Sequence, residues 1–151
     1  MRSLEALELL VRSANADRGD DVNSALARFL VIRTCGCIEQ VVEECSKAYL
    51  KSKSDTRSAS FGSSWFGRGR NPSRDALVSL ARRFDPKWGD ELEDLLNAND
   101  ELLGRELAFL VDRRNKIAHG LNEGTGVRKA LDLVSTANEI ANWFIVTMDP
   151  R

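Results

Sequence analysis

One short segment carries the residue types that could do chemistry: residues 112–120, which read Asp-Arg-Arg-Asn-Lys-Ile-Ala-His-Gly. Arg114 continues an apolar stripe of leucines that precede it at helical spacing. A guanidinium on an apolar face is unfavourable unless it is paired or faces an interface or a ligand. His119 is the only histidine in the chain, and histidine is the residue type best suited to proton transfer near neutral pH. The leucines of the stripe are Leu103, Leu107 and Leu110.

The spacing of Arg114 and His119 limits how one chain could use them together. Five residues at ~100° each place the two side chains about 140° apart on a continuous helix. They act together only if the helix ends or distorts near Ala118, or if the long arginine side chain wraps round it. Gly120 is the residue type that ends helices in the left-handed conformation, so we expect His119 in the last turn. There the helix dipole favours the imidazolium form, which suits a proton donor.

Helices must position this segment, because no alternating strand pattern of useful length appears in the chain. Helices joined by short loops predict an all-α fold, an antiparallel helical bundle of about five to six helices in a single domain over residues 1–151. Residues 52–72 are predicted to form a basic loop rich in Ser, Gly and Arg. Ser73 is predicted to cap the next helix and Asp85-Pro86 to end it. The predicted helices span about residues 3–17, 22–51, 73–84, 89–97, 99–117 and 127–148.

Apolar residues at helical spacing predict which helix faces lie in the core. The predicted inward residues of the long second helix are Val22, Ala25, Leu26, Phe29, Leu30, Cys37, Ile38, Val41, Cys45 and Ala48. Those of the last helix are Leu131, Val134, Ala137, Ala141, Phe144 and Ile145.

The segment from Arg114 to His119 resembles the Arg-x4-6-His signature of the HEPN superfamily, with the polar residue commonly found just after the arginine at Asn115. A long early helix, a variable middle, the motif helix and a closing helix also resemble that superfamily, nearest to its RiboL-PSP-HEPN branch. The resemblance implies a HEPN-like bundle with Arg114 and His119 as the catalytic pair and Asn115 in support. It also implies a homodimer whose two motifs face each other across a cleft. HEPN proteins are commonly RNases of toxin, abortive-infection and CRISPR-effector systems.

These residue types suit cleavage of RNA without a metal. The 2′-OH attacks the phosphorus, one group accepts its proton, and another protonates the leaving 5′-oxygen. A two-fold dimer would supply the second histidine that one chain lacks. Arg114 would stabilise the extra charge of the transition state, and Asn115 would orient His119 or contact a phosphate. The predicted function is a metal-independent endoribonuclease that needs no cofactor, either a toxin or an antiviral defence effector of the abortive-infection kind.

A second interpretation stays open, a non-catalytic HEPN domain that binds RNA, a nucleotide or a protein partner. The intact arginine, asparagine and histidine favour the nuclease. Some HEPN toxins carry a tyrosine two residues after the histidine, where an antitoxin modifies it. Leu121 stands at that position here. We therefore expect any antitoxin, or any larger defence-system partner, to act by masking the cleft.

Basic and aromatic residues of the predicted loop and of the motif are the candidate RNA contacts. Aromatic residues interleaved with arginines suit stacking on unpaired bases. The alternative is a loop that folds back and places Phe61, Trp65 and Phe66 in the core. Asp112 is expected to pair with Lys116 one helical turn away. The candidate RNA-binding residues are Arg57, Trp65, Arg68, Arg70, Arg113 and Lys116.

Composition narrows the class of protein. The 151 residues are 42% hydrophobic and 30% charged, which is typical of a globular domain rather than a disordered chain. No apolar run approaches the roughly 20 residues of a membrane span, and no signal peptide is recognised, so we expect a cytoplasmic protein. The three cysteines are an odd number and are expected to be small buried hydrophobes. With a single histidine besides, no metal site is predicted.

Overall fold

The computed structural model describes residues 2–13, 19–67, 69, 71–121 and 124–151, of which Arg2 and Ser3 are described by their backbone alone. Within these ranges the chain forms helices and no strand, which confirms the predicted all-α bundle of five to six helices. None of these helices is both long and apolar enough to cross a bilayer. The helices are α1 (Arg2–Arg12), α2 (Asp20–Lys53), α3 (Thr56–Ser63), α4 (Arg74–Phe84), α5 (Pro86–Ala118) and α6 (Val127–Thr147).

The long helix α2 is the centre of the bundle. It packs along α6, and α1 and α5 each pack against both of them. α4 folds back on the first half of α5, where Arg82 of α4 forms ion pairs with Asp90 and Glu93 of α5. Aliphatic and aromatic side chains from these helices fill one core. Its largest fully buried members include Leu30, Ile38, Leu92, Leu107, Leu133, Ile140 and Phe144.

The inward face of α2 was only partly predicted. Leu30 and Ile38 are buried as expected, but Val22 and Phe29 are each about half exposed, at 50% and 52%. Ala25 and Ala48 are exposed as well. The reason is that α2 carries apolar residues on two sides, and only tertiary packing decides which side meets the core. The residues buried in place of those predicted are Ala27, Val31, Thr34, Cys35, Val42 and Ser46.

The last helix follows its prediction more closely. Val134, Ala137, Ala141 and Phe144 are buried. Ile145 was predicted to face inward and is instead 44% exposed. It follows Phe144 by one position, which turns it about 100° away from the core.

The break predicted near residue 98 is present and divides α5 into two helical halves. α5 begins at Pro86, where the Asp85 side chain accepts a hydrogen bond from the Lys87 N–H. The backbone then leaves helical geometry over residues 98–101, and Asn99 has a left-handed φ of 52°. The second half of α5, which carries the motif, is thereby set at its own angle to the first half.

The segment predicted as a loop over residues 52–72 contains a helix, so that prediction was wrong in part. α3 occupies Thr56–Ser63, and the Asp55 side chain caps it by accepting from the N–H groups of Arg57 and Ser58. Serine-rich composition hid this helix, because serine is a weak helix former but a strong partner for a local cap. In contrast, Ser73 caps α4 as predicted. The first helix ends at Arg12. The last part of its predicted span, residues 14–17, lies outside the described residues.

Candidate functional site

The guanidinium of Arg114 is fixed between two helices. Its Nη2 lies 3.2 Å from Oε1 of Glu39 on α2, and its Nη1 donates a hydrogen bond of 3.1 Å to Oδ1 of Asn115. The side chains of Arg114 and Glu39 are 31% and 19% exposed, so this ion pair lies at the edge of the core. The cation that the sequence placed on an apolar stripe is therefore paired, as the cost of leaving it unpaired requires.

Glu39 is the partner that the sequence analysis did not find. Burial raises the pKa of its carboxyl group, and the positive charge of Arg114 lowers it. The two residues are 75 positions apart, so no local spacing relates them. The only signal was a charged residue one position after the buried Ile38, and such positions are often no more than the solvated edge of a helix.

Asn115 supports the arginine rather than the histidine. Its Oδ1 accepts from Arg114, and both residues are half-buried. From its place in the motif, Asn115 is expected to orient His119 or to contact a phosphate. In the structure its amide oxygen accepts a hydrogen bond from Nη1 of Arg114, while Nη2 of the same guanidinium contacts Glu39.

His119 caps the end of α5, as the sequence predicted. Gly120 takes a left-handed φ of 75°, and its N–H donates to the carbonyl of Ile117. The N–H of Leu121 donates to the carbonyl of Lys116, which completes a Schellman motif. This ending leaves the His119 side chain exposed beyond the last turn. Among the described residues it has no hydrogen-bond partner.

One chain does not bring Arg114 and His119 together. α5 is helical through Ala118, so the two side chains leave the helix about 140° apart. Arg114 points to Glu39, and within the described part of the chain no hydrogen bond or ion pair joins it to His119. Of the two routes that the sequence left open, the helix does end near Ala118, but the arginine does not wrap toward the histidine.

The charged residues predicted to bind RNA differ in what they contact. Lys116 pairs with Asp112 at 3.1 Å, which confirms the expected contact one turn apart. The guanidinium of Arg113 lies 4.8 Å from the centre of the Phe109 ring, a cation–π distance. Arg57 is exposed at the start of α3. Arg68 and Arg70 lie outside the described residues.

Two of the three aromatic residues in and just after α3 do not fold back into the core. Phe61 is 68% exposed and Trp65 is 52% exposed, and their rings meet edge to face at 6.1 Å. Phe66 is half-buried. The alternative that placed all three in the core is therefore wrong for Phe61 and Trp65. Arg83 of α4 lies over the Trp65 ring at 5.9 Å, so one basic residue already stacks there.

A cavity of about 390 Å³ opens beside the ion pair. One wall is the outer stripe of α2, which includes Glu39 and Glu43. The described residues between Trp65 and Pro72 form the second wall, and α4 closes the third with Leu77. Glu39 belongs to both the cavity and the ion pair, so the two features are continuous.

Cys35 lies one turn before Glu39 and is buried. Burial, followed by the negative charge of Glu39, raises the pKa of its thiol to about 11, and Arg114 acts in the opposite direction. Cys37 and Cys45 are half-buried rather than fully buried. Over the described ranges no group of three or more His, Cys, Asp or Glu side chains converges as a metal site would require.

Comparisons with known proteins give one result. The family model described as RiboL-PSP-HEPN matches residues 1–145, which is nearly the whole chain and includes the motif. No curated protein and no solved structure matches the chain.

Proposed function

Because the chain belongs to the RiboL-PSP-HEPN family, we propose that it is a metal-independent endoribonuclease that cleaves RNA through attack of the 2′-OH. We further propose that it acts as a toxin or as a defence effector of the abortive-infection kind. Membership of the family supports an RNase-type or RNA-binding role. The observation that carries the catalytic proposal is the contrast between a clamped Arg114 and an exposed His119 side chain, for which the described residues offer no partner, at the two ends of one motif.

Arg114 is the group that would bind the scissile phosphate. Two of its nitrogens are held by Glu39 and Asn115. A guanidinium has five N–H donors, so it retains donors for a phosphate after both contacts. A guanidinium whose position is already fixed needs little reorganisation when charge develops on the phosphorane-like transition state. Glu39 and Asn115 are therefore positioning residues, and Arg114 is the one that touches the substrate.

His119 would move the protons. A neutral His119 takes the proton of the 2′-OH as the 2′-oxygen bonds to phosphorus. The bond from phosphorus to the 5′-oxygen breaks, and an imidazolium donates a proton to that oxygen. The products are a 2′,3′-cyclic phosphate and a 5′-OH. One chain has a single histidine, so we assign the acid to the partner subunit's His119 in a homodimer.

The outer face of α2 is the surface on which we place the dimer contact. Val22 and Phe29 are half exposed there. Gly36 follows Phe29 at seven residues, which keeps it on the same side of the helix, and it is also exposed. Glu39 borders this face, so a two-fold contact along it would bring two Arg114–Glu39 pairs toward each other. Apolar residues clustered on an outer face commonly mark such a contact.

The binding of RNA would also use the basic and aromatic surface outside the motif. Arg57 and Trp65 are exposed and accessible, and Arg113 and Lys116 flank Arg114 on α5. We keep Arg68 and Arg70 in this proposed set on the sequence alone. Binding that depends on such cations weakens as salt rises, because counterions released from the RNA drive it.

The test compares wild type with His119→Ala. Expression of the wild-type protein should slow growth of the host, and the variant should not. Purified wild type should cut RNA in EDTA, whereas the variant should leave it intact while showing an unchanged circular dichroism spectrum and melting temperature. Equal cleavage by the two proteins would exclude His119 from catalysis. If neither protein cleaves RNA but both bind it, the second candidate is favoured, a non-catalytic HEPN domain. The contact with Glu39 also supports this candidate, because it neutralises the charge of Arg114.

A further inference from the structure

The cavity beside Glu39 has the dimensions of a ligand site. Its volume of about 390 Å³ falls within the range of pockets for small molecules. Gly36 lies in its α2 wall, and a Cβ built there would meet nothing within 4 Å. The missing side chain thus leaves space at the mouth of the cavity. In the middle of a helix a glycine is destabilising relative to alanine, and nothing in the packing of Gly36 requires it.

The apolar walls suit a flat ring. Pro72 and Leu77 are buried, and Phe66 and Leu80 are half-buried along the same lining. Trp65 adds a half-exposed indole at the edge. Aromatic and aliphatic walls of this kind bind the faces of nucleobases, whatever the base.

The charged groups in the lining are all acceptors, and the amides of Gln40 and Asn71 add both acceptors and donors. Glu39 and Glu43 present carboxylates from α2. The Oδ1 atom of Asn71 is shut off from solvent and has no hydrogen-bond partner in the described part of the chain. A buried acceptor without a partner is unfavourable, and a ligand with N–H donors would relieve it. The carboxylates also repel phosphate, so a nucleotide would enter with its base first.

The pattern of acceptors selects among the four bases. Guanine presents adjacent donors, N1–H and the 2-amino group, that match the two oxygens of a carboxylate. Adenine and cytosine each present a single exocyclic amine next to a ring acceptor. Uracil presents one N–H between two carbonyls, which a carboxylate repels. The carboxylate of Glu43 pairs with Lys47 one turn along α2, which holds it in place.

We propose that this cavity is a guanine-binding subsite that holds one nucleotide of the RNA substrate beside Arg114. The inference deepens the proposed nuclease function and gives it a base preference. Glu39 links the two parts: it lines the cavity, and its Oε1 lies 3.2 Å from Nη2 of Arg114. With the base in the cavity, the sugar and phosphate would lie toward its mouth, and Glu39 connects the lining to the guanidinium of Arg114.

The experiment measures binding without cleavage. Thymidine hexamers with one central dG, dA or dC have no 2′-OH and are not cut, and the dissociation constant of each is followed by Trp fluorescence and by calorimetry. The dG hexamer should bind roughly ten-fold more tightly than the others, as for a bidentate contact to a base edge. Two variants should abolish this preference: Glu43→Gln, which keeps the size but loses the charge, and Ala76→Leu, which narrows the cavity from its α4 wall, away from the proposed dimer face. Glu139→Gln, an exposed residue on α6 outside the lining, should keep it.

Three results would overturn the subsite. The hexamers could bind equally well, the dG preference could survive both cavity variants, or spermine could displace every hexamer alike and so reveal a site for cations. Because the hexamers are not substrates, a dG preference in a protein that fails to cut RNA would contradict the nuclease proposal alone. Cleavage of RNA with no preference for guanosine near the cut would contradict the subsite alone.

Discussion

The guanidinium of Arg114 and the carboxylate of Glu39 form an ion pair at 3.2 Å across α5 and α2, although 75 positions separate them in the chain. This contact explains how an arginine can stand on an apolar helix stripe. It also fixes the one cation that the proposed mechanism places against the phosphate, so its loss should affect catalysis more than folding.

Substitutions of Arg114 and Glu39 should distinguish the effect of the guanidinium's charge on cleavage from the effect of its position. Arg114→Ala should lower cleavage by about a hundred-fold or more, the usual loss when one donor to a developing charge is removed. Arg114→Lys should recover little, because an ammonium cannot engage Glu39, Asn115 and a phosphate in one plane. Glu39→Gln should lower kcat with little change in KM, as expected for a positioning residue.

The free energy of unfolding of each Arg114 and Glu39 variant is the control for these activity measurements. The pair is partly exposed, so each substitution should change the free energy of unfolding by no more than about 1 kcal/mol. Arg105→Ala, an exposed arginine on the same helix, should leave both activity and stability unchanged. Wild-type cleavage by Arg114→Ala would remove the arginine from the mechanism.

The composite site requires a homodimer. Sedimentation at micromolar concentration should show two chains per particle. Phe29→Glu should dissociate the dimer and abolish cleavage, because it places a charge in the middle of the apolar outer face of α2. Val146→Glu, at an exposed apolar position on α6, should do neither. A wild-type monomer that cleaves RNA would contradict the shared site.

Cys35 gives a prediction about pH. Its pKa is raised from 9.0 to about 11 in the folded chain, so the folded state holds this proton more tightly than the unfolded state. Its contribution to stability is complete below about pH 9 and is lost as the pH rises toward 11, with a total of up to about 3 kcal/mol. Urea unfolding of Cys35→Ala should therefore depend less steeply on pH between 9 and 11 than that of wild type. Cys37→Ala serves as the control for loss of a thiol. If the free energy of unfolding changes with pH in the same way for wild type and both variants, Cys35 is not the source of the pH dependence.

Two helical glycines should respond to alanine in opposite directions. Gly36→Ala should raise the free energy of unfolding by about 0.5–1 kcal/mol, because the helix gains propensity and the new Cβ meets nothing within 4 Å. Gly104→Ala should lower it by about 1–3 kcal/mol, since its Cβ would lie 2.9 Å from the backbone oxygen of Leu96 across the bend of α5. Thermal and urea denaturation measure both changes, and shifts of the same sign would contradict the packing described here.

Features that depend on neighbours in sequence were predictable. Gly120 ends α5, Ser73 caps α4, and Lys116 pairs with Asp112, because each contact closes within a few residues. The motif was recognisable for the same reason, and the family match agrees with it.

Features that depend on tertiary packing were not predictable. The sequence could not decide that Phe29 faces outward, because either apolar side of α2 would satisfy the helical pattern. It could not relate Glu39 to Arg114, since no spacing rule reaches across the bundle. α3 was missed because its cap, Asp55, stands in a serine-rich stretch typical of loops.

The central claim is cleavage by the RNA's own 2′-OH at the motif of residues 114–119, and one measurement tests it most directly. The cut site is mapped on an RNA, and the same RNA is made with a single 2′-deoxy nucleotide there. In EDTA, wild type should cut the first RNA to a 2′,3′-cyclic phosphate and leave the second intact at that site, while His119→Ala cuts neither. Continued cutting at the deoxy position, or complete inhibition by EDTA, would contradict the mechanism.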